Sequence, residues 1–167
     1  MQISTIQMFS PNIICNCVDK YETTGISGKL YHSYSKEPYR YKDINEMLLK
    51  MDEFYEQIRF PMASTESRSF SKCKANKIGK EMMVMKEDDN LLDKRGDKST
   101  FVIQVQYRQN ATWQGKIVWI EEDRTQYFRS ALELIKIMDS ALCEEDIKQG
   151  IKLEDFSYKE EKKCARS

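Results

Sequence analysis

Two stretches of the sequence, YRYKDINEMLLKMD at residues 39–52 and QYFRSALELIKIMD at residues 126–139, decide the fold. They align without a gap at a separation of 87 residues, the distance from position 39 to position 126. The similarity continues outward over residues 28–55 and 115–142, which both begin with Gly-Lys. A similarity of this length within one chain predicts an internal duplication, in which each copy forms the same structural unit.

Each copy contains a helix whose start is marked in the sequence. Asp43 is followed three residues later by Glu46, and Ser130 is followed three residues later by Glu133. These are capping boxes, in which the first side chain accepts a hydrogen bond from the backbone three residues on and the glutamate reaches back. Apolar residues then recur at helical spacing, which predicts one buried stripe per helix. The stripe residues are Ile44, Met47, Leu48, Met51, Phe54 and Tyr55 in the first copy, and Ala131, Leu134, Ile135, Met138, Ala141 and Leu142 in the second.

Strand patterns precede each helix. FVIQVQYR at residues 101–108 alternates between apolar and polar positions, which is typical of a strand with one buried face. GKIVWIEE and the short QYF follow it, and the first copy offers NIICNCVDKY, GKLYHSY and YRY in the same order. Each copy is therefore predicted to be a β-β-β-α unit. A three-stranded sheet with one helix buries too little apolar surface to be secure alone, so we expect the copies to pack together.

The expected fold class is α+β, with one antiparallel sheet, two amphipathic helices on one of its faces and a pseudo-twofold axis between the copies. Two separate small domains are the alternative. The predicted boundaries are residues 11–60 for the first repeat, 61–99 for a polar mobile linker, 100–143 for the second repeat and 144–167 for a charged tail. The apolar MMVM within the linker is a candidate for a short ordered piece.

The bulk composition restricts the classes of function. Lys plus Arg and Asp plus Glu both number 27, so no global field favours nucleic acid or an anionic membrane. No apolar run approaches the length of a membrane span, and the N-terminus lacks the pattern of a signal peptide. Five scattered cysteines and a single histidine fit a reducing cytosol. We therefore expect a cytoplasmic protein without a metal site or a cofactor.

Part of the second copy is similar in sequence to a known protein family. The run FVIQVQYRQNATWQGKIVWIEEDRTQYFRSALELIKIMDSAL, residues 101–142, resembles a family of short uncharacterised proteins found in anaerobic Gram-positive bacteria. The first copy, with GKLYHSYSKEPYRYKDINEMLLKMDEFYEQIRFP, fits the same family more loosely. No activity is established for that family, so the resemblance implies no catalytic or binding residues.

The most distinctive polar stretch is RQNATWQG, where the first copy has YETTGISG. Tryptophan and arginine dominate the hot spots of protein interfaces, and the loop adds amide donors and acceptors beside them. The structural alternative is a hairpin loop whose Trp side chain covers one end of the core. The residues predicted to contact a partner, if the loop is a recognition loop, are Arg108, Gln109, Asn110, Trp113 and Gln114.

A nucleic-acid interface is the alternative class of binding site. The polar linker carries five basic residues that could follow a phosphate backbone. Four tyrosines of the first copy, Tyr31, Tyr34, Tyr39 and Tyr41, could supply a stacking surface, although packing within the sheet explains them equally well. The basic residues are Arg68, Lys72, Lys74, Lys77 and Lys80.

Catalysis has the least support in the sequence. No phosphate-binding glycine loop, metalloprotease motif or nucleophile elbow is present. His32 stands where the second copy has Trp119, which favours a packing position over a general base. The sequence therefore predicts a small non-enzymatic binding protein that acts on a protein or ribonucleoprotein partner. A specific form is a phage or mobile-element accessory protein that inhibits a host defence factor, as anti-CRISPR proteins do. An enzyme of unrecognised type, centred on His32 or on the carboxylates at equivalent places in the two copies, is the third alternative. These carboxylates are Asp52 with Asp139 and Glu46 with Glu133.

Overall fold

The computed structural model describes residues 10–66, 68–70 and 91–150, and these residues form an α+β fold. Six antiparallel strands make one sheet in the order β3-β2-β1-β4-β5-β6, and two α-helices pack against it. The elements are β1 (Ile13–Glu22), β2 (Gly25–Tyr31), β3 (Tyr39–Tyr41), α1 (Ile44–Ile58), a short 3₁₀ turn (Leu91–Asp93), β4 (Ser99–Tyr107), β5 (Gln114–Trp119), β6 (Arg124–Phe128) and α2 (Ala131–Lys148).

The two halves of the sheet have matching strand registers. We call β1–β3 with α1 the first half and β4–β6 with α2 the second half, and the residue 87 positions later is the counterpart of a first-half residue. Cys15 pairs with Tyr31 between β1 and β2. Their counterparts Val102 and Val118 pair between β4 and β5. The register shift that follows Val18 in β1 recurs after its counterpart in β4.

The halves join at the centre of the sheet, where β1 pairs with β4. Cys15 lies directly opposite its own counterpart, Val102. When a residue pairs with its own counterpart in an antiparallel sheet, a local twofold axis passes midway between the two. The registers therefore place a pseudo-twofold axis between Cys15 and Val102. The six described strands therefore form one continuous sheet.

The helices cover one face of this sheet. Both helices contribute their buried residues to a single large core cluster, together with alternate residues of the strands such as Ile14, Phe101 and Ile117. The opposite face has a smaller apolar cluster, in which Leu91 packs against Cys15 and neighbouring strand residues. Strands β1 and β4 have buried residues on both faces, because the helices cover one face and the smaller cluster with Leu91 covers the other. Residues 101–108 therefore do not form a strand with only one buried face, because β4 lies at the centre of the sheet.

The helix caps follow the sequence prediction with one difference. Asp43 and Ser130 accept hydrogen bonds from the backbone N–H groups of Glu46 and Glu133, at 2.8 and 3.0 Å. The two glutamates reach back one residue beyond the cap, since their carboxylates accept from the N–H groups of the residues that precede Asp43 and Ser130. Each pair still satisfies two backbone donors at the start of its helix.

Element bounds differ in places from the boundaries drawn on the sequence. Helix α2 continues to Lys148, five residues beyond residue 143. Part of the predicted linker is ordered, since Leu91 is buried against the helix-free face and Ser99 begins β4. The MMVM stretch lies outside the described residues. No helix within the described part of the chain is long and apolar enough to cross a membrane.

Candidate functional site

The space between the sheet and α1 in the first half is filled by aromatic side chains. Phe54 of α1 stacks on His32 with ring centroids 4.5 Å apart. Tyr39 and Tyr34 lie 5.4 and 6.0 Å from the same imidazole ring. His32 is 2% exposed, and burial lowers its pKa from 6.5 to about 4. Phe54 and His32 belong to the buried interior, and Tyr34 and Tyr39 pack against it, so this cluster acts as core packing.

The equivalent space in the second half is open. The counterparts of Phe54 and Tyr39 are Ala141 and Gln126, which are a small and a flexible polar residue. The counterpart of His32 is Trp119, which lies 5% exposed against the core. A cavity of about 150 Å³ remains between α2 and strands β4, β5 and β6. We call this cavity the α2 pocket.

The α2 pocket has an apolar floor and a polar mouth. Buried side chains and the half-buried Ile137 form the floor, whereas Gln126 and Ser140 at the mouth are exposed. Arg124 of β6 and Glu144 of α2 form an ion pair of 2.9 Å that bridges the two walls. The floor residues are Phe101, Ile117, Trp119, Ile137 and Ala141, and the mouth residues are Arg124, Gln126, Ser140 and Glu144.

The ion pair at the mouth is exposed and therefore weak. Arg124 and Glu144 retain 55% and 42% side-chain exposure, so water screens their attraction. Cations also approach the ring of Trp119, since Arg124 and Lys148 lie 5.8 and 5.3 Å from its centroid. A ligand can therefore displace the mouth contacts at little cost and still find an aromatic wall below them.

A larger cavity, about 460 Å³, lies at the start of α2. Its lining residues are Arg129, Ser130, Leu132, Glu133 and Lys136. These residues all belong to the first turns of one helix and its cap, so no second element forms an opposing wall. The α2 pocket, which has walls on a helix and on three strands, is therefore the better candidate for a binding site.

Arg108, the first of the predicted partner-binding residues, is engaged within the chain. Its guanidinium is 7% exposed and donates to Asp52 at 2.9 Å and to Glu56 at 2.6 Å, both on α1. The counterparts of Arg108 and Asp52 are Tyr21 and Asp139, and they are also in contact. Tyr21 of β1 donates to Asp139 of α2 at 2.8 Å. Each half is thus tied to the helix of the other half. Partner contact through Arg108 stays a prediction, and it requires these pairs to open.

The rest of the predicted recognition loop divides into packed and exposed residues. Trp113 packs on the large core cluster, with its ring edge-on to Tyr55 at 5.7 Å. Gln114 donates to the backbone carbonyl of Gln109 at 3.2 Å. Gln109 and Asn110 are exposed, and Asn110 has a positive φ of 55° that fits an asparagine in a tight turn. Gln109 and Asn110 are thus the exposed part of a hairpin turn in which Trp113 and Gln114 are half-buried, and partner contact through these residues stays a prediction.

The residues of the nucleic-acid alternative are not brought together among the described residues. Arg68 is exposed, whereas Lys72, Lys74, Lys77 and Lys80 lie outside the described residues. The four tyrosines divide between the two faces of the sheet: Tyr41, Tyr34 and Tyr39 belong to the helix-side core, and Tyr31 to the cluster on the opposite face. They therefore do not form one stacking surface.

The described titratable groups include one thiol pair. Cys15 and Cys17 lie on the helix-free face with Sγ atoms 3.9 Å apart, and both are buried. Their mutual hydrogen bond and burial raise the pKa of Cys15. Within residues 10–66, 68–70 and 91–150, no group of three or more His, Cys, Asp or Glu side chains is arranged to hold a metal ion. The thiol pair is accounted for by packing, as its alternation along β1 predicts.

Comparisons with protein-family models, with curated proteins and with solved structures found no match to this chain. The α2 pocket was not predicted from the sequence. The sequence does contain a signal for the pocket. Phe54 in the apolar stripe of the first helix corresponds to Ala141 in the second, so the second helix lacks an aromatic ring at this buried position.

Proposed function

We propose that this protein is a non-enzymatic binding protein that receives a side chain of a protein partner in the α2 pocket. The observation that carries the proposal is the difference between the halves, in which one backbone arrangement is filled by Phe54 and the other left open at Ala141. Phe54 fills this space in the first half, whereas the matching space in the second half stays open to solvent at its mouth. A retained void with an exposed mouth favours a role in binding.

The pocket also has the chemistry of a binding site. Ligand sites are concave and mostly apolar, with a few polar groups that fix orientation. The floor residues Trp119 and Phe101 supply aromatic walls, and Ser140 and Gln126 supply hydrogen-bonding groups at the mouth. Fully desolvated pockets that accept one large side chain are typical of interface hot spots.

We further infer that the two halves descend from one duplicated β-β-β-α unit. The aligned sequence, the matched registers and the matched helix caps support this origin. Gly28 and Gly115 add a further match, because a Cβ at either position would lie about 2 Å from a backbone carbonyl of the adjacent strand. Under this proposal, one copy kept the packing role and the other gained a binding surface.

The more specific expectation, an accessory protein that inhibits a host defence factor, stays a prediction that depends on the identity of the partner.

The nucleic-acid alternative also stays a prediction. The two classes of partner separate in solution, because binding through phosphate contacts weakens steeply as salt rises, whereas insertion of an apolar side chain does not.

Ala141→Phe tests the proposal, because it places in the second half the residue that fills the first. The variant should fold, with its thermal midpoint close to that of the wild type, and it should lose the partner. Leu132→Phe is the matched control, since it adds the same ring at an exposed position of α2 outside the pocket.

The measurement is quantitative capture from nuclease-treated native lysate by the three tagged proteins in parallel. The proposal predicts a protein that the wild type and Leu132→Phe retain and that Ala141→Phe loses at least tenfold. Partners retained equally by all three proteins would place the binding surface elsewhere and overturn the assignment to the α2 pocket.

A further inference from the structure

The two edges of the sheet differ in their freedom to pair with another strand. Strand order places β3 at one edge and β6 at the other. Strand β3 has three residues, whereas β6 has five and flanks the α2 pocket through Arg124 and Gln126. An edge strand presents backbone N–H and C=O groups that lack a partner within the sheet, and these groups can pair with an extended chain.

The registers show which groups of β6 face outward. The N–H of Ile120 donates to the carbonyl of Thr100 at 3.0 Å, so even-numbered residues of β5 bond towards β4. Hydrogen bonds alternate in direction along an antiparallel strand, so odd-numbered residues of β5 bond towards β6. Their partners in β6 are Arg124, Gln126 and Phe128. The backbone groups of Thr125 and Tyr127 therefore point away from the sheet.

The matching position at the other edge is blocked. The counterpart of Thr125 is Pro38, at the residue just before β3. Proline has no N–H group, so it removes one of the two outward donors that the shared register would provide. Proline on an edge is a common means of preventing unwanted strand pairing. The first half thus has a proline beside its edge strand and a filled space under its helix. The second half has neither the proline nor the filling side chain.

An added strand would align with the α2 pocket. Thr125 and Tyr127 would hydrogen-bond to the added strand, so the residue opposite Gln126 would form a non-hydrogen-bonded pair with it. In such a pair the side chains are close and point to the same face. Gln126 lines the pocket, so the partner residue opposite it would point its side chain towards the pocket mouth.

The volume of the α2 pocket limits the size of the partner side chain that can enter it. A cavity of about 150 Å³ with apolar walls accepts a benzene-sized group. Leucine, methionine and phenylalanine side chains match that volume. The mouth carries one cation and one anion, Arg124 and Glu144, so flanking partner residues of either charge find an opposite group.

We propose that β6 accepts an extended peptide segment of a protein partner as a seventh strand, with one leucine-, methionine- or phenylalanine-sized side chain inserted into the α2 pocket. The inference rests on the proposed function and adds to it the conformation and the anchor residue of the partner. Main-chain pairing would supply affinity and the pocket would supply specificity, as in other cases of strand addition.

The test starts from randomised nine-residue peptides displayed on phage and selected on the full-length protein. Selected peptides are then synthesised, and their dissociation constants are measured for three variants. Thr125→Pro copies Pro38 and removes an outward N–H without breaking the β5–β6 ladder. Thr125→Val keeps that N–H and controls for the side chain. Ala141→Phe fills the pocket.

The proposal expects peptides with one large apolar residue that cannot be replaced by alanine. Thr125→Pro and Ala141→Phe should each weaken binding at least tenfold, whereas Thr125→Val should change it less than threefold. N-methylation of the peptide amide that pairs with β6 should also weaken binding at least tenfold, because it removes a main-chain donor. Amide hydrogen exchange should slow at Thr125 and Tyr127 in the complex.

Other outcomes overturn the inference in distinguishable ways. Helical peptides that lose binding in Ala141→Phe but not in Thr125→Pro would reject strand addition and leave the proposed function intact. A selection that yields no peptide sensitive to Ala141→Phe would reject both proposals. Concentration-dependent dimers that Thr125→Pro dissociates would show a second copy of the chain at this edge.

Discussion

The two halves of the sheet share strand registers and helix caps, yet they use the space under their helices differently. The first half places Phe54 and Tyr39 around His32, whereas the second places Ala141 and Gln126 below Trp119 and keeps a cavity. The backbone is therefore compatible with either arrangement. The side chains at the three exchanged positions distinguish the half that is filled from the half that keeps a cavity.

The largest effect is expected from Phe54→Ala, which gives the first half the residue found in the second. Phe54 is 1% exposed and stacks on His32, so its truncation leaves a cavity and should lower the free energy of unfolding by about 3–5 kcal/mol. Chemical denaturation measures this loss. A loss below about 1 kcal/mol would mean that the first half tolerates an open site, and the packing role assigned to it would be wrong.

His32 should make the first half sensitive to acid. Its pKa is about 4 in the folded protein and about 6.5 when unfolded, so the unfolded state binds the proton first. Stability is therefore lost as pH falls below about 6.5, and the loss levels off below about 4, at a total of about 3 kcal/mol.

His32→Phe removes this titration, so denaturation from pH 7 to pH 4 should show a shallower loss in the variant than in the wild type. The carboxylates of both proteins titrate alike, and the difference between the two profiles isolates the imidazole. Identical slopes would show that the imidazole is protonated within the folded protein.

A smaller effect is expected at the buried polar pair under the helices. Tyr41 donates to Asn16 at 2.8 Å, whereas the counterparts, Phe128 and Ile103, are both apolar. Tyr41→Phe removes the hydroxyl donor and leaves the buried side-chain oxygen of Asn16 without it. The free energy of unfolding should fall by about 1–3 kcal/mol. Adding Asn16→Ile reproduces the pair of the second half and should recover most of that loss. A double variant less stable than Tyr41→Phe alone would show that the two halves do not share one core geometry.

Much of the fold was predictable because it depends on short-range patterns. The alternation of residues 101–108 predicted a strand, and β4 extends over Ser99–Tyr107. The capping residues Asp43 and Ser130 predicted where the helices begin. These features follow from local hydrogen bonding and from the periods of strand and helix, so the sequence alone carries them.

The site was less predictable, because it depends on contacts between distant residues. Arg108 had the chemistry of an interface residue, but Asp52 and Glu56, more than 50 positions away, bind its guanidinium. Trp113 in the same way rests on Tyr55. No local pattern gives the positions of such partners, so the exposure of a polar or aromatic residue in a loop had to come from the structure.

The order of strands and helices and the helix caps follow from local periodicity and local hydrogen bonding, so the sequence alone carries them. The pairing of Cys15 with Val102 at the centre of one sheet, the position of Thr125 at an edge and the cavity beside Ile117 are known only from the folded structure. Cavities and strand edges are properties of the assembled packing. Their presence depends on the volumes and registers of residues that meet only when the chain is folded.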